Sequence, residues 1–233
     1  MIITKTPYRI SFFGGGSDYP EWYKKNGGVV LSTTINKYIY ISCRFLPNYF
    51  RHKYRIVWSK IENVKNINEI NHKAVREALN YLKMKQGLEI HYDGDLPARS
   101  GMGSSSCFIV GLLKALYKIK NKNISKSELS KKSIFIEQEI LKEVVGSQDQ
   151  VAASYGGFNK IIFNKNKTII QSLNLKSHQI RDIEMSSLLI FTGVSRTAEK
   201  IEVKKFERID KRKENIISEL VKITDEAEKL LKN

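Results

Sequence analysis

Leu96-Pro97-Ala98-Arg99-Ser100-Gly101-Met102-Gly103-Ser104-Ser105-Ser106-Cys107 is the stretch on which the reading of this chain turns. It stands between a strand-like run, Leu88 to Tyr92, and a long apolar helix, Phe108 to Ile119. Gly101 and Gly103 let the backbone turn tightly and come close to a ligand. The three serines then open the helix, where amide groups lack intrahelical partners and the dipole presents its positive end. A helix start of this kind binds anions. The hydroxyls add neutral donors, and one of them suits a hard cation such as Mg²⁺. The stretch therefore fits a polyphosphate, and it equally fits a plain N-capped helix after a glycine turn. Neither a Walker A loop nor the dinucleotide fingerprint is present, because no Gly-Lys-Ser/Thr follows these glycines and their spacing differs.

Composition narrows the partners. The 233 residues allow one large domain or two small ones, and 41% hydrophobic residues are enough for a proper core. A net charge of +16 favours anions, either nucleic acid or phosphorylated metabolites and nucleotides. The basic residues are scattered and mostly lysine. With no arginine-rich or aromatic-interleaved patch, no nucleic-acid partner is expected. Cys43 and Cys107 lie in apolar strand and helix contexts, which predicts reduced core thiols in a cytoplasmic protein. His52, His72, His91 and His178 show no metal-ligand spacing. No signal peptide precedes Met1, and no apolar run is long enough to span a bilayer, so no membrane partner is expected.

Working outward, Ile2 to Phe13 predicts a strand with Pro7 at a bulge or edge. It leads into Gly14-Gly15-Gly16-Ser17-Asp18, where Asp18 either accepts hydrogen bonds from vicinal sugar hydroxyls or caps a short helix near Glu21 to Lys25. Val29 to Ile35 and Tyr38 to Phe45 predict two strands joined by a tight Asn36-Lys37 turn. Tyr54 to Trp58 is a further strand, and Asn66 to Lys83 carries apolar positions at helical spacing. Ser125 to Lys142 predicts a helix with a Ser125/Glu128 capping box, and it places Glu137 beside the apolar side formed by Leu129, Ile136 and Ile140. A carboxylate there needs a partner, a metal ion or solvent. Gln148-Asp149-Gln150 opens a short helix that ends near Tyr155. Lys160 to Phe163 and Thr168 to Leu173 predict a hairpin, Leu188 to Phe191 a strand, and Thr192 to Thr197 a turn. Glu199 to Asn233 reads as one charged amphipathic helix with a stripe of Phe206, Ile209, Ile216, Leu220, Ile223 and Leu230.

Four of these features occur together, in order and at matching spacing, in the GHMP kinases. Arg9 with Gly14 and Asp18 resembles the family's N-terminal substrate motif. Pro97-x-x-x-Gly101-x-Gly103-Ser104-Ser105 resembles its phosphate loop. Glu137 stands twelve residues before Asp149, and Gly146 precedes Gln148-Asp149-Gln150, as in the family pattern. Gly15 and Gly16 replace the Glu-His pair of galactokinases, which argues against galactose. The triple glycine, with Ser195-Arg196-Thr197, looks most like the D-glycero-D-manno-heptose 7-phosphate kinases of bacterial surface-glycan (lipopolysaccharide or capsule) synthesis.

The resemblance implies an α+β fold. An N-terminal ATP-binding domain like domain 2 of ribosomal protein S5 would span 1–155, and the start of a ferredoxin-like C-terminal domain, incomplete here, would span 156–233. It implies an ATP- and Mg²⁺-dependent kinase that phosphorylates the anomeric hydroxyl of a heptose 7-phosphate. Pro97, Arg99, Ser100, Gly101, Met102, Gly103, Ser104, Ser105 and Ser106 would hold ATP, and Ser105 and Glu137 the Mg²⁺. Asp149 would orient or deprotonate the sugar hydroxyl with Arg9 beside it. Gly15, Gly16, Ser17, Asp18 and Arg196, together with Arg9 and Asp149, would contact the sugar phosphate. A fucokinase-like sugar 1-kinase and a truncated, inactive nucleotide-binding protein are the alternatives. The family's second glycine-rich loop is not found after Phe206, so the chain reads as shorter than a full kinase. The apolar stripe of its last helix would then be covered by a homodimer partner or by docking on the Lys160 to Leu173 hairpin.

Overall fold

The computed structural model describes residues 1–98, 100–190 and 211–232. It is a mixed α/β fold built on one sheet of seven strands. The strands are β1 (Ile2–Phe13), β2 (Gly28–Phe45), β3 (Tyr54–Val57), β4 (Ile61–Val64), β5 (Leu88–Gly94), β6 (Phe158–Phe163) and β7 (Thr168–Ser172). Their order is β4-β3-β5-β2-β6-β7, with β1 paired to β2 off this path. Among the described residues only β3 and β5 pair in parallel. The helices are α1 (Pro20–Asn26), α2 (Lys73–Tyr81), α3 (Ser104–Ile119), α4 (Lys126–Phe135), α5 (Gln148–Tyr155), α6 (Ser177–Met185) and α7 (Lys211–Lys232).

β2 corrects the expectation of two strands joined by a tight turn. It is one strand of 18 residues. β1 lies antiparallel along it, from Ile2 opposite Cys43 to Phe13 opposite Leu31, so the two halves never fold back on each other. The pairing slips between Pro7 and Arg9, which face Tyr38 and Thr34. Asn36 and Lys37 are therefore an exposed bulge on a continuous strand, and Pro7 sits at the irregularity, as its missing N–H requires. The slip turns Tyr8 fully inward, where its hydroxyl donates to Leu96 O at 3.2 Å.

The far edge of β2 is shared. Its second half pairs with β5 and its first half with β6. The β6–β7 hairpin, from the segment expected to open a second domain, thus extends the same sheet. Ile39, Ile41 and Cys43 face the main core under α2, α3 and α4, where Ile109, Leu112, Leu113 and Leu116 are buried. Each such aliphatic side chain contributes about 1.5–3 kcal/mol on burial. Gly111 brings α3 onto β1: Thr4 Oγ1 donates to Gly111 O at 3.0 Å, and a Cβ there would meet Thr6 Oγ1 at 2.7 Å. Val30 faces Val151 and Ala152 of α5, while its neighbour Leu31 faces Leu173 and Ala227 of α7 on the opposite side.

Several other expectations change. The helix expected over Asn66 to Lys83 is broken into a 3₁₀ turn, Ile67–Glu69, and α2, because the buried Glu62 carboxylate takes the amides of Asn71 and His72. The helix starting at Ser125 is capped by that hydroxyl, which accepts from Glu128 N at 3.2 Å, but after Phe135 it widens into a π turn, Ile136–Ile140. Leu188, Leu189 and Ile190 form no strand. They are exposed, and no strand lies alongside to complete a ladder among the described residues. Phe191, the Thr192–Thr197 turn and residues 199–210 lie outside the described residues. On α7 the docked residues are Ile217, Thr224 and Ala227, while Ile216, Ile223 and Leu230 stay exposed. The helix does dock on the hairpin, where Lys160 Nζ pairs with both Asp225 and Glu228 at 2.7 Å. Cys43 and Cys107 are free and buried; burial pushes the Cys43 thiol up to about 12.

Candidate active site

The first strand and the start of α5 meet at the Pro97–Ser106 loop. Arg9 follows the β1 bulge and forms a two-pronged ion pair with Asp149: Nε to Oδ1 and Nη2 to Oδ2, each at 2.6 Å. Its Nη1 donates to Gly101 O at 2.9 Å, and its backbone amide donates to Met102 O at 3.3 Å. One arginine therefore fixes the loop and the carboxylate together. Burial works against the guanidinium charge, but Asp149 beside it more than compensates and raises its pKa. Gly103 closes the contact. Its φ is +75°, and a Cβ would stand 3.0 Å from Asp149 Oδ2 and 3.4 Å from Arg9 Cγ. The Asp149 side chain remains 20% exposed, so a ligand at the loop can reach it.

Gly101 and Gly103 are both in positive φ, and α3 begins at Ser104 with Gly103 as its N-cap. The first amides of a 16-residue helix are thus presented at this loop. Pro97, Gly101 and Ser105 are exposed, Ser100 and Met102 half-buried, and the Ser100 Oγ has no hydrogen-bond partner. Arg99 lies outside the described residues, as does Arg196.

On the first turn of α3 lies the second cluster. Glu137, delivered by the π turn, is fully buried. Ser105 Oγ and Ser106 Oγ donate to its Oε1 at 3.2 and 3.1 Å, and Gln150 Nε2 donates to its Oε2. Burial pushes this carboxyl up to about 8. The Gln150 and Ser106 hydrogen bonds oppose that rise, while Glu143 and Asp149 add to it. With two hydroxyls at hand and helix-start amides beside it, this carboxyl would suit a hard cation such as Mg²⁺. Among the described residues no group of three or more acidic, histidine or cysteine side chains is placed to hold a metal ion.

The third group is the glycine loop of residues 14–18. Ser17 and Asp18, expected against the substrate, are both fully buried. Ser17 Oγ is committed within the fold: its one proton has Gly14 O at 2.7 Å and Val29 O at 2.9 Å as acceptors, and the oxygen accepts from Val29 N at 3.0 Å. Asp18 Oδ1 accepts from Gly16 N at 3.0 Å and Oδ2 from Gln148 N at 3.1 Å, while its carbonyl accepts from Ser147 N at 3.0 Å. Burial, with Asp149 adding to it, pushes the Asp18 carboxyl up to about 6. These contacts tie the loop to the start of α5. Gly15 and Gly16 are the half-buried surface the loop offers, and nothing lies within 4 Å of the Cβ position at Gly16.

Three residues quoted in the sequence motif were given no role there. Gln150 holds Glu137, Gln148 anchors Asp18 through its amide, and Gly146 has no room for a side chain, since its Cβ would stand 1.9 Å from Asp18 Oδ2. Their positions flanking Asp149 were the available signal.

Residues 68–157 match the family model described as GHMP kinases N terminal domain. A D-glycero-alpha-D-manno-heptose 7-phosphate kinase of Campylobacter jejuni is 31% identical over 216 residues, covering 86% of this chain and 62% of that protein. A galactokinase of Pyrococcus furiosus is 27% identical and covers 84% of this chain and 54% of its own length, so the chain spans well short of the full length of these relatives. A solved D-glycero-D-manno-heptose 1-phosphate kinase from Bacteroides thetaiotaomicron has a TM-score of 0.76 at 26% identity, over 95% of this chain and 74% of that one. A mevalonate kinase from Methanococcus jannaschii, at 20% identity and a TM-score of 0.66, shares the fold. The matched region holds the loop, Glu137 and Asp149, so residues 68–157 are similar to the N-terminal domain of the GHMP kinases, and the fold extends that likeness to Arg9 and the glycine loop.

Proposed function

We propose that this chain supplies the ATP-binding and acceptor sites of a sugar kinase that transfers the γ-phosphoryl group to the anomeric hydroxyl of a heptose 7-phosphate, giving a heptose 1,7-bisphosphate. The observation that carries it is the contact of the Arg9–Asp149 pair with Gly103 of the loop. It puts a carboxylate suited to hold a hydroxyl at the mouth of an anion-binding helix start. Phosphoryl transfer needs positioning and charge neutralisation more than covalent help.

The amides of Gly101 to Ser106 hold the phosphates. Glu137 and Ser105 would hold Mg²⁺, which would supply charge neutralisation to the transferring group. Asp149 orients the attacking hydroxyl and takes its proton, while Arg9 fixes that carboxylate in one direction. Gly15 and Gly16 let the sugar lie close to the backbone, and Asp18 acts from beneath by holding the loop against α5. Arg99 and Arg196 are the cations offered for the substrate's own phosphate. The likeness to two heptose phosphate kinases supports the choice of sugar, and a place in surface-glycan synthesis follows from that choice.

A phosphorylation screen with D-glycero-D-manno-heptose 7-phosphate, sedoheptulose 7-phosphate, fucose and galactose tests the proposal. Preferential formation of a 1,7-bisphosphate from the first supports it. Preferential turnover of fucose would replace it with a fucokinase-like activity, and MgATP binding without turnover of any sugar would leave a nucleotide-binding protein.

A further inference from the structure

Gln148 is the residue of the α5 start for which the proposed reaction has found no use. The residue is 9% exposed, and its Oε1 is buried with no hydrogen-bond partner. Its Nε2 lies 3.7 Å from where a Cβ on Gly15 would stand, so the carboxamide is set against the glycine loop. At the next residue, Gly16, nothing lies within 4 Å of the Cβ position. The carboxamide thus flanks the open stretch of the loop, one residue before Asp149. A buried acceptor without a donor costs stability, and in a native fold it calls for a partner. Gln150 also has an unpartnered Oε1, but it is fully buried and its other end is committed to Glu137.

We propose that Gln148 is a specificity-determining residue of the acceptor site: its carboxamide hydrogen-bonds a sugar ring hydroxyl beside the one held by Asp149. This rests on the sugar-kinase reading above. A hydroxyl both donates and accepts, so it can serve a carboxamide in either sense. A site built to bond a hydroxyl rejects the analogue that lacks it, because its own polar group is then left buried and unpaired.

The test uses calorimetric binding of D-glycero-D-manno-heptose 7-phosphate and its single ring-deoxy analogues to the full chain and to Gln148→Leu. The variant is expected to bind the heptose phosphate more weakly, by on the order of 10-fold or more, with unchanged MgATP affinity. One deoxy analogue should bind poorly to the wild type and equally to both proteins. Gln148→Met, close in shape and without the polar end, serves if Gln148→Leu fails to fold. Unchanged heptose affinity in the variants would overturn the assignment, and so would an equal loss for every analogue. If the wild type binds MgATP but none of the sugars, the sugar-kinase reading itself falls, and the Gln148 assignment with it.

Discussion

The cradle around Asp149 and the segment after Phe163 are held together in different ways. In the cradle each functional side chain is fixed from several sides: Arg9 by Asp149 and Gly101, Glu137 by two serines and a glutamine, Asp18 by backbone amides of the glycine loop and of the start of α5. Glycines set the distances there. Beyond the β6–β7 hairpin, α6 buries no residue, and α7 is seated by a narrow strip with two ion pairs to Lys160. Ile180, Met185 and Leu188 remain exposed. The first region is specified by polar geometry that tolerates little change; the second is specified by packing that leaves much apolar surface over.

Asp149→Asn strikes the cradle hardest. It keeps the shape but faces Arg9 with a neutral amide. Phosphoryl transfer should fall on the order of 10²–10⁴-fold, while calorimetry should show MgATP affinity nearly unchanged. A matching loss of ATP affinity would mean that loop and carboxylate cannot be separated into two roles.

Gly146→Ala comes next. Its methyl group would collide with Asp18 Oδ2, and forced overpacking of this kind costs about 1–3 kcal/mol. The urea midpoint should drop, and Asp18→Ala in the same chain should restore part of it. No recovery in the double variant would break the assignment of the clash.

A gentler perturbation is pH without divalent cation. Glu137 stands at about 8 in the fold against a usual 4.5, so the folded state holds a proton that the unfolded chain releases between those values. Stability should therefore decline as pH rises from about 5 to 8. Asp18, raised to about 6, adds the same sign over the lower part of that range. Denaturant midpoints across this window would show the slope, and Glu137→Gln should leave only the Asp18 part of it, below about pH 6. A wild-type profile with no decline would contradict the isolation of this carboxylate.

The smallest effect belongs to the outer face of α7. Replacing Ile216, Ile223 and Leu230 with serine should shift stability by no more than roughly 0.5 kcal/mol each. Sedimentation should show less self-association, because these side chains form the exposed apolar stripe. A large loss of stability would show that this face is packed rather than free.

The same contrast explains what could be read in the sequence. The loop at Gly101–Ser106 and the Asp149 segment were legible because their chemistry is local: glycines that turn, serines that start a helix, an acid on its first turn. β2 was not, because Asn36-Lys37 looks like a hairpin and only its pairing with β1 across the Tyr8 bulge makes it continuous. The break before α2 depends on Glu62, from another strand. On α7, apolar periodicity selected the large residues, yet the docked face uses Thr224 and Ala227. Thr224 comes close enough that its Oγ1 lies 2.9 Å from a Cβ position on Gly14. Close approach favours small side chains, and a hydrophobic pattern undervalues them.

β2 also bears on where the chain can change length. Val30 and Leu31 serve cores on opposite faces, and farther along Ile39, Ile41 and Cys43 serve the main core. A single inserted or deleted residue within either half would exchange inward and outward side chains from that point on. It would also move Arg9, whose partner on the strand is Thr34. The exposed bulge at Asn36–Lys37 is the exception, since the ladder already slips there. Gain or loss of a residue along these 18 positions should therefore be confined to that bulge, which makes it the natural point of entry for an inserted peptide.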